Sequence, residues 1–308
     1  MILVSPDQSR LIAASRTFGS DTRPGIWVHD IKVDQTSIVD YPGEYPGSLV
    51  DLGEHFAVSS TNRERAEFSI TIASKMAPSS ALATLRWCEG RTEFSGERDL
   101  FSSLPTSLLT HFWASDSVKI TLFRLDLTRL ELHPIYLTWF YESPNEFDPG
   151  YQGIFQIGNH PASGNLLVSL HKSGSVYICD PHSGTRLSKL DLPNVVSGNA
   201  AFVFGPENRM CISSYSNLFQ FDENLHWSHQ VGLGLHSRGG PGAPVVDTER
   251  QVIVVSRFKR GDILCFDLET LKPVKQYEIG GQPYEIAIAG DQIFARQWDL
   301  DDLLRVAL

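Results

Sequence analysis

The chain has 308 residues, 42% hydrophobic and 20% charged, an ordinary globular composition that can bury a core without disulfide or metal staples. Its net charge of −10 argues against a non-specific nucleic-acid binder and against an anionic-membrane binder. No run of about twenty apolar residues occurs, and the amino terminus lacks a basic stretch leading into an apolar one, so a soluble cytoplasmic protein is expected.

Short β-branched and aromatic runs recur along the chain, separated by turn signals. In chain order they are Arg10–Ser15, His55–Ser60, a weaker His111–Ser115, Asn165–Leu170, Arg209–Ser214, Gln251–Ser256 and Gln292–Gln297. Small-residue turns and a further strand precede them, as at Pro46–Val50, Gln152–Phe155, Ser197–Ala201, Gly240–Pro244 and Gln282–Ile286. A third strand follows and ends on an aspartate: Asp30, Asp126, Asp180, Asp222 and Asp267. A carboxylate there can accept backbone N–H bonds in the next turn, so these aspartates read as structural.

The repeat is roughly 45 residues, the length of a four-stranded propeller blade with strands A to D. The fold expected is all-β: a seven-bladed β-propeller of four-stranded antiparallel blades, forming a single domain over 1–308, with six or eight blades as the alternatives. The first blade starts on its A strand at Ile2 and the last ends on its C strand at Leu303–Leu308. The last blade is therefore expected to be three-stranded, with an open edge that can pair a second copy of the chain into a homodimer. Residues 86–150 read as irregular, with long loops at 88–98 and 141–150 around a third blade.

Residues 158–193 (GNHPASGNLLVSLHKSGSVYICDPHSGTRLSKLDLP), 279–296 (IGGQPYEIAIAGDQIFAR) and 5–16 (SPDQSRLIAASR) resemble the repeats of YVTN/quinoprotein-type, WD40-like propellers. The resemblance implies the fold and no specific function, because that superfamily holds lactonases, lyases, cofactor-dependent dehydrogenases and interaction scaffolds. The Gly-His and Trp-Asp dipeptides of WD40 blades are missing at matching places, and so is the tryptophan-rich docking repeat of the quinone-cofactor dehydrogenases.

Linear catalytic motifs are absent: no G-x-S-x-G, no H-E-x-x-H, no EF-hand loop. The glycine-rich run at 232–242 is followed by a strand, not the helix that a phosphate loop needs, and reads as a turn between blades. Four cysteines, Cys88, Cys179, Cys211 and Cys265, form no C-x-x-C pair and read as free thiols. No cofactor and no metal site is expected.

The ends of the B strands are more informative. Arg16, Arg63, Asp116, His171 with Lys172, Tyr215, Arg257 and Arg296 stand at or just past them, and Arg23, Arg65, Lys259 and Arg260 lie further along the same loops with the acids Asp21, Glu64, Asp262 and Asp299. One reading is of ordinary solvated loops whose arginines pair with those acids; the other is an anion site. Arginines converging from several blades would make desolvated, bidentate contacts with an anion. The expected ligand-binding set is Arg16, Arg63, His171, Lys172, Tyr215, Arg257, Arg296 and Trp298. The function this supports is a binding or interaction scaffold that recognises a small anionic ligand or an acidic protein segment on the B–C loop face. The alternative is a lyase, isomerase or lactone hydrolase acting on a small anionic substrate, with His171 as the candidate acid/base.

Overall fold

The computed structural model describes residues 2–14, 25–39, 45–62, 67–96, 107–113, 120–126, 129–137, 154–170, 173–195, 198–214, 216–234, 242–297 and 303–308. The chain divides into two compact units, Met1–Phe140 and Tyr141–Leu308. Every described sheet is antiparallel and runs in simple sequence order.

In the first unit, β1 (Ile2–Val4), β2 (Arg10–Ala14), β3 (Ile26–Asp30) and β4 (Gln35–Val39) form one sheet. A second joins β5 (Tyr45–Leu52), β6 (His55–Asn62), β7 (Glu67–Ser74), β8 (Ala77–Cys88) and β9 (Arg91–Gly96). A third joins β10 (Ser107–Trp113), β11 (Ile120–Asp126) and β12 (Glu131–Tyr136).

The second unit begins with β13 (Ile154–Asn159), β14 (Leu166–Leu170), β15 (Ser175–Cys179) and β16 (Arg186–Asp191). Next come β17 (Ala200–Phe204), β18 (Met210–Ser214), β19 (Asn217–Phe221) and β20 (Trp227–Gly232). They are followed by β21 (Val245–Asp247), β22 (Val252–Arg257), β23 (Asp262–Asp267) and β24 (Pro273–Glu278). The unit closes on a three-stranded sheet of β25 (Pro283–Ala289), β26 (Gln292–Gln297) and β27 (Leu303–Ala307).

These sheets overturn the expected seven-bladed ring of four-stranded blades with a single three-stranded exception. Among the described residues most sheets are four-stranded, but one has five strands and two have three. The error lies at residues 86–150. Within the run that reads as a long loop at 88–98, residues 88–96 belong to a hairpin, with Cys88 opposite Arg91 and both turn residues, Glu89 and Gly90, at positive φ (51° and 80°), while the expected loop at 141–150 lies outside the described residues. That geometry matches the strand twist at a two-residue turn, and Glu-Gly is a weak signal for it. Of the run expected as a central strand at His111–Ser115, His111–Trp113 belong instead to β10, the first described strand of its sheet, and Asp126 closes the second described strand, not the third.

Core formation follows from where each strand sits. Second strands such as β14 and β18 are buried along their whole length, whereas outer strands such as β4 and β16 are almost wholly exposed. Buried side chains gather between neighbouring sheets. Phe68, Ile70 and Leu85 meet Phe123 and Leu125, with the Phe68 and Phe123 rings stacked at 4.2 Å between centroids. In the second unit Leu167 and Val176 meet Phe202, Ile212 and Phe219 in one such layer. Cys179 and Cys211 are buried, and burial pushes both thiols up to about 12, as inert core cysteines require.

Hydrogen bonds also join neighbouring sheets of the second unit. The Gln156 side chain accepts from Phe202 N (2.9 Å) and donates to Phe202 O (2.7 Å), extending strand-like pairing from β13 to β17. Ser213 Oγ donates to Gly242 O (2.8 Å), Gly242 N to Ser256 O (3.1 Å), and Ser256 Oγ to Tyr284 O (3.1 Å). A Cβ at Gly242 would fall 2.0 Å from Tyr284 O, so only glycine permits this approach.

The aspartate turns form as expected. Asp30 accepts from the N–H of Lys32 and Val33, Asp126 from Arg129, Asp180 from His182 and Ser183, Asp222 from Asn224 and His226, and Asp267 from Glu269 and Thr270. Asp7 does the same between β1 and β2, taking bonds from Ser5 Oγ, Ser9 Oγ and Ser9 N. The hydroxyls of Ser5 and Ser9 hold its carboxyl down at about 2.

Two predictions follow from this packing. Phe219→Ala should lower stability by about 3–5 kcal/mol, read as the shift in the urea midpoint, whereas Leu187→Ala, on an outer strand and 55% exposed, should change it by no more than about 0.5 kcal/mol. For Asp7 the folded value lies below the unfolded one, so its contribution is complete above pH 4 and is lost as pH falls through about 2. Asp7→Asn should flatten the acid limb of a stability-against-pH curve in that window, and an unchanged limb would contradict the assignment.

Candidate functional site

Of the eight residues expected to bind ligand, Arg16, Arg63, His171, Lys172, Tyr215 and Trp298 lie outside the described residues. Arg257 and Arg296 are described, and each is held in a buried ion pair.

Arg257 ends β22 directly opposite Asp262, the first residue of β23. Its Nε donates to Asp262 Oδ1 at 2.7 Å and its Nη2 to Asp262 Oδ2, a bidentate fork. Nη1 donates to Leu233 O at 2.7 Å, and Gln276 Nε2 donates to Asp262 Oδ2 at 2.9 Å. Arg257 is 5% exposed and Asp262 1%. The guanidinium is therefore neutralised and its donors are directed inward. Arg296, at the end of β26, repeats the theme with a different partner: Nη2 lies 2.6 Å from Glu285 Oε2, across from it on β25. Sequence reasoning placed both arginines at the correct strand ends. It named Asp262 among the acids of these loops without matching it to Arg257, and did not match Glu285 to Arg296, because the pairing depends on cross-strand register.

The turn after β22 carries cations that are exposed. Arg260 N and Gly261 N both bond to Arg257 O (2.9 and 3.1 Å), which closes a tight turn with Phe258, Lys259 and Arg260 along its outside. Lys259 and Arg260 are exposed and Phe258 is half-buried. Arg260 Nη1 reaches Gly234 O at 3.2 Å, beside the Leu233 carbonyl that holds Arg257. Gly261, at φ +69°, lets the turn press on the next loop, where Gly280 Cα is 3.2 Å from the position of a Cβ. Gly261 O accepts from Ile279 N (3.0 Å) and Gly280 N (2.8 Å). The half-buried Tyr284 ring of β25 meets Phe258 edge-on, with centroids 6.1 Å apart and planes at 88°.

A second recess lies elsewhere on this unit, lined by Pro206, Glu207, Arg209, Gln251, Leu268 and Glu269. Its volume is about 240 Å³, and its arginine bonds to Glu207 Oε2 at 2.8 Å. Among the described residues no group of three or more His, Cys, Asp or Glu converges as a metal site, and no helix is long and apolar enough to cross a membrane.

The Arg257–Asp262 pair generates a prediction. Asp262→Asn leaves a buried guanidinium without its counter-charge and should cost about 3–5 kcal/mol in chemical unfolding. The double change Arg257→Met with Asp262→Leu should recover most of that loss. Equal destabilisation by both variants would show that the pair does not act as a unit.

No known protein family and no curated protein matches the chain in sequence. Solved structures match it in shape. The β-propeller domain of Cps50 (Swd1) from Myceliophthora thermophila superposes with a TM-score of 0.66 at 8% identity, covering 100% of this chain and 95% of that one. A proposed 6-phosphogluconolactonase from Bacteroides fragilis gives 0.63 at 12% identity, over 95% and 89% of the two chains. The computationally designed protein Ika8 gives 0.58 at 10% identity, over 100% and 95%. At such identities the likeness carries the fold and no activity. By its successive antiparallel sheets and by these neighbours, the chain is a β-propeller protein.

Proposed function

We propose that the chain is a binding scaffold whose B–C turns recognise an anionic ligand. The observation that carries this reading is the Phe258–Arg260 turn, where Lys259 and Arg260 stand exposed above the neutralised Arg257–Asp262 pair. In a chain of net charge −10 these two cations are adjacent and are held on a rigid base. Arg257 thus becomes a positioning residue, and the binding charge passes to its neighbours. Arg296, paired with Glu285, takes a similar part.

One exposed ion pair is worth no more than about 1 kcal/mol. Useful affinity therefore requires more than these two cations. Charge at the rim of a contact acts mainly on association rate and on salt dependence.

The test is Lys259→Glu combined with Arg260→Glu, titrated with citrate and with poly-glutamate at low and physiological salt. The wild-type chain should bind at least one of these probes, with affinity falling as salt rises, and the double variant should lose about tenfold or more. Equal binding by a variant of unchanged melting temperature rejects the reading.

A further inference from the structure

Resting on that reading, we infer that the occupant of this turn is an acidic polypeptide segment bearing an aromatic side chain, seated on Lys259, Arg260, Phe258 and Tyr284. The two cations are presented by a tight turn whose outer residues are exposed. Small anions are held by enclosing them, with donors converging from several sides. A turn with exposed cations instead offers a short row of side chains, the form that an extended peptide can lie along.

The aromatic pair supports the same occupant. Phe258 and Tyr284 come from neighbouring sheets, their rings are perpendicular, and both are half-buried. A carboxylate, phosphate or citrate ion would use Lys259 and Arg260 and leave these rings untouched. A peptide that carries an aromatic residue beside its carboxylates would use all four. Arginine and aromatic side chains are the groups that dominate protein–protein contact energies, and an arginine fork adds directional recognition of a carboxylate.

The platform is also fixed before anything binds. Arg257 and Asp262 lock the foot of the turn to Leu233 O, Gly261 O takes two backbone N–H groups of the next loop, and Gln282 N donates to Gln297 Oε1 at 3.2 Å. Little ordering is then required on binding, which favours a shallow contact. Glu278, exposed two residues before Gly280, bonds to Gln276 and sets a negative border on one side.

The experiment uses the full chain, short fluorescent peptides of Asp and Glu with either Trp or Ala at the centre, and inorganic phosphate as competitor. Three proteins are compared: wild type, Phe258→Ala, and Lys259→Glu with Arg260→Glu. The Trp peptide should bind the wild type about tenfold more tightly than the Ala peptide. Phe258→Ala should remove that preference and leave the weaker binding in place, and phosphate should compete poorly. Equal binding of the Trp and Ala peptides, with loss only in the charge-reversed variant, would overturn this inference while the anionic reading stands. Binding that survives charge reversal for every probe would overturn both. Because the Trp-to-Ala change is made in the peptide, the comparison holds even if Phe258→Ala is unstable.

Discussion

A small antiparallel sheet has two faces, and in water neither is covered unless another sheet lies on it. The described packing follows from that constraint within each unit. Buried side chains collect in layers between consecutive sheets, such as Phe68 on Phe123 in the first unit and Ile253 with Leu218 and Cys211 in the second. Inner strands become apolar on both faces, while outer strands such as β16 and β24 remain mostly wet. The inter-sheet hydrogen bonds of Gln156, Ser213 and Ser256 serve the same end, since they satisfy polar groups where sheets approach too closely for water.

Burial also explains how charge is distributed at the strand ends. A guanidinium taken out of water needs a carboxylate and further acceptors, and Arg257 has both in Asp262 and Leu233 O. The nearby Lys259 and Arg260 are in water, carry their charge outward, and are the groups a partner can reach. Two layers result: buried pairs that fix the turn, and exposed cations that give it a sign. The cations at the strand ends therefore hold separate tasks, although in the sequence they look alike.

The repeated aspartates play a quieter part. Asp180 and Asp267 accept backbone N–H groups and a hydroxyl of their own turns, Asp222 accepts backbone N–H groups and faces the His226 ring, and those bonds hold each carboxyl below its usual range. His160 shows the opposite pressure: its Nδ1 lies 3.0 Å from Ser163 Oγ, the ring is 2% exposed, and burial lowers its tendency to charge. Carboxylates at the turns and a neutral buried imidazole both favour a fold that is most stable away from acid.

The sequence by itself determined the all-β class, the repeat, the position of most second strands and the aspartate turns. Each is a local property: period-two alternation or a turn residue. Tertiary structure decided what local signals do not hold. The Glu89-Gly90 hairpin widened one sheet to five strands and moved the strand frame of the next, because a weak turn signal settles only when both strands find a partner. The roles of Arg257 and Arg296 were decided by register, which placed Asp262 and Glu285 across from them. Strand-end arginines are visible in sequence; whether their charge is spent inward or offered outward depends on which carboxylate the neighbouring strand brings opposite.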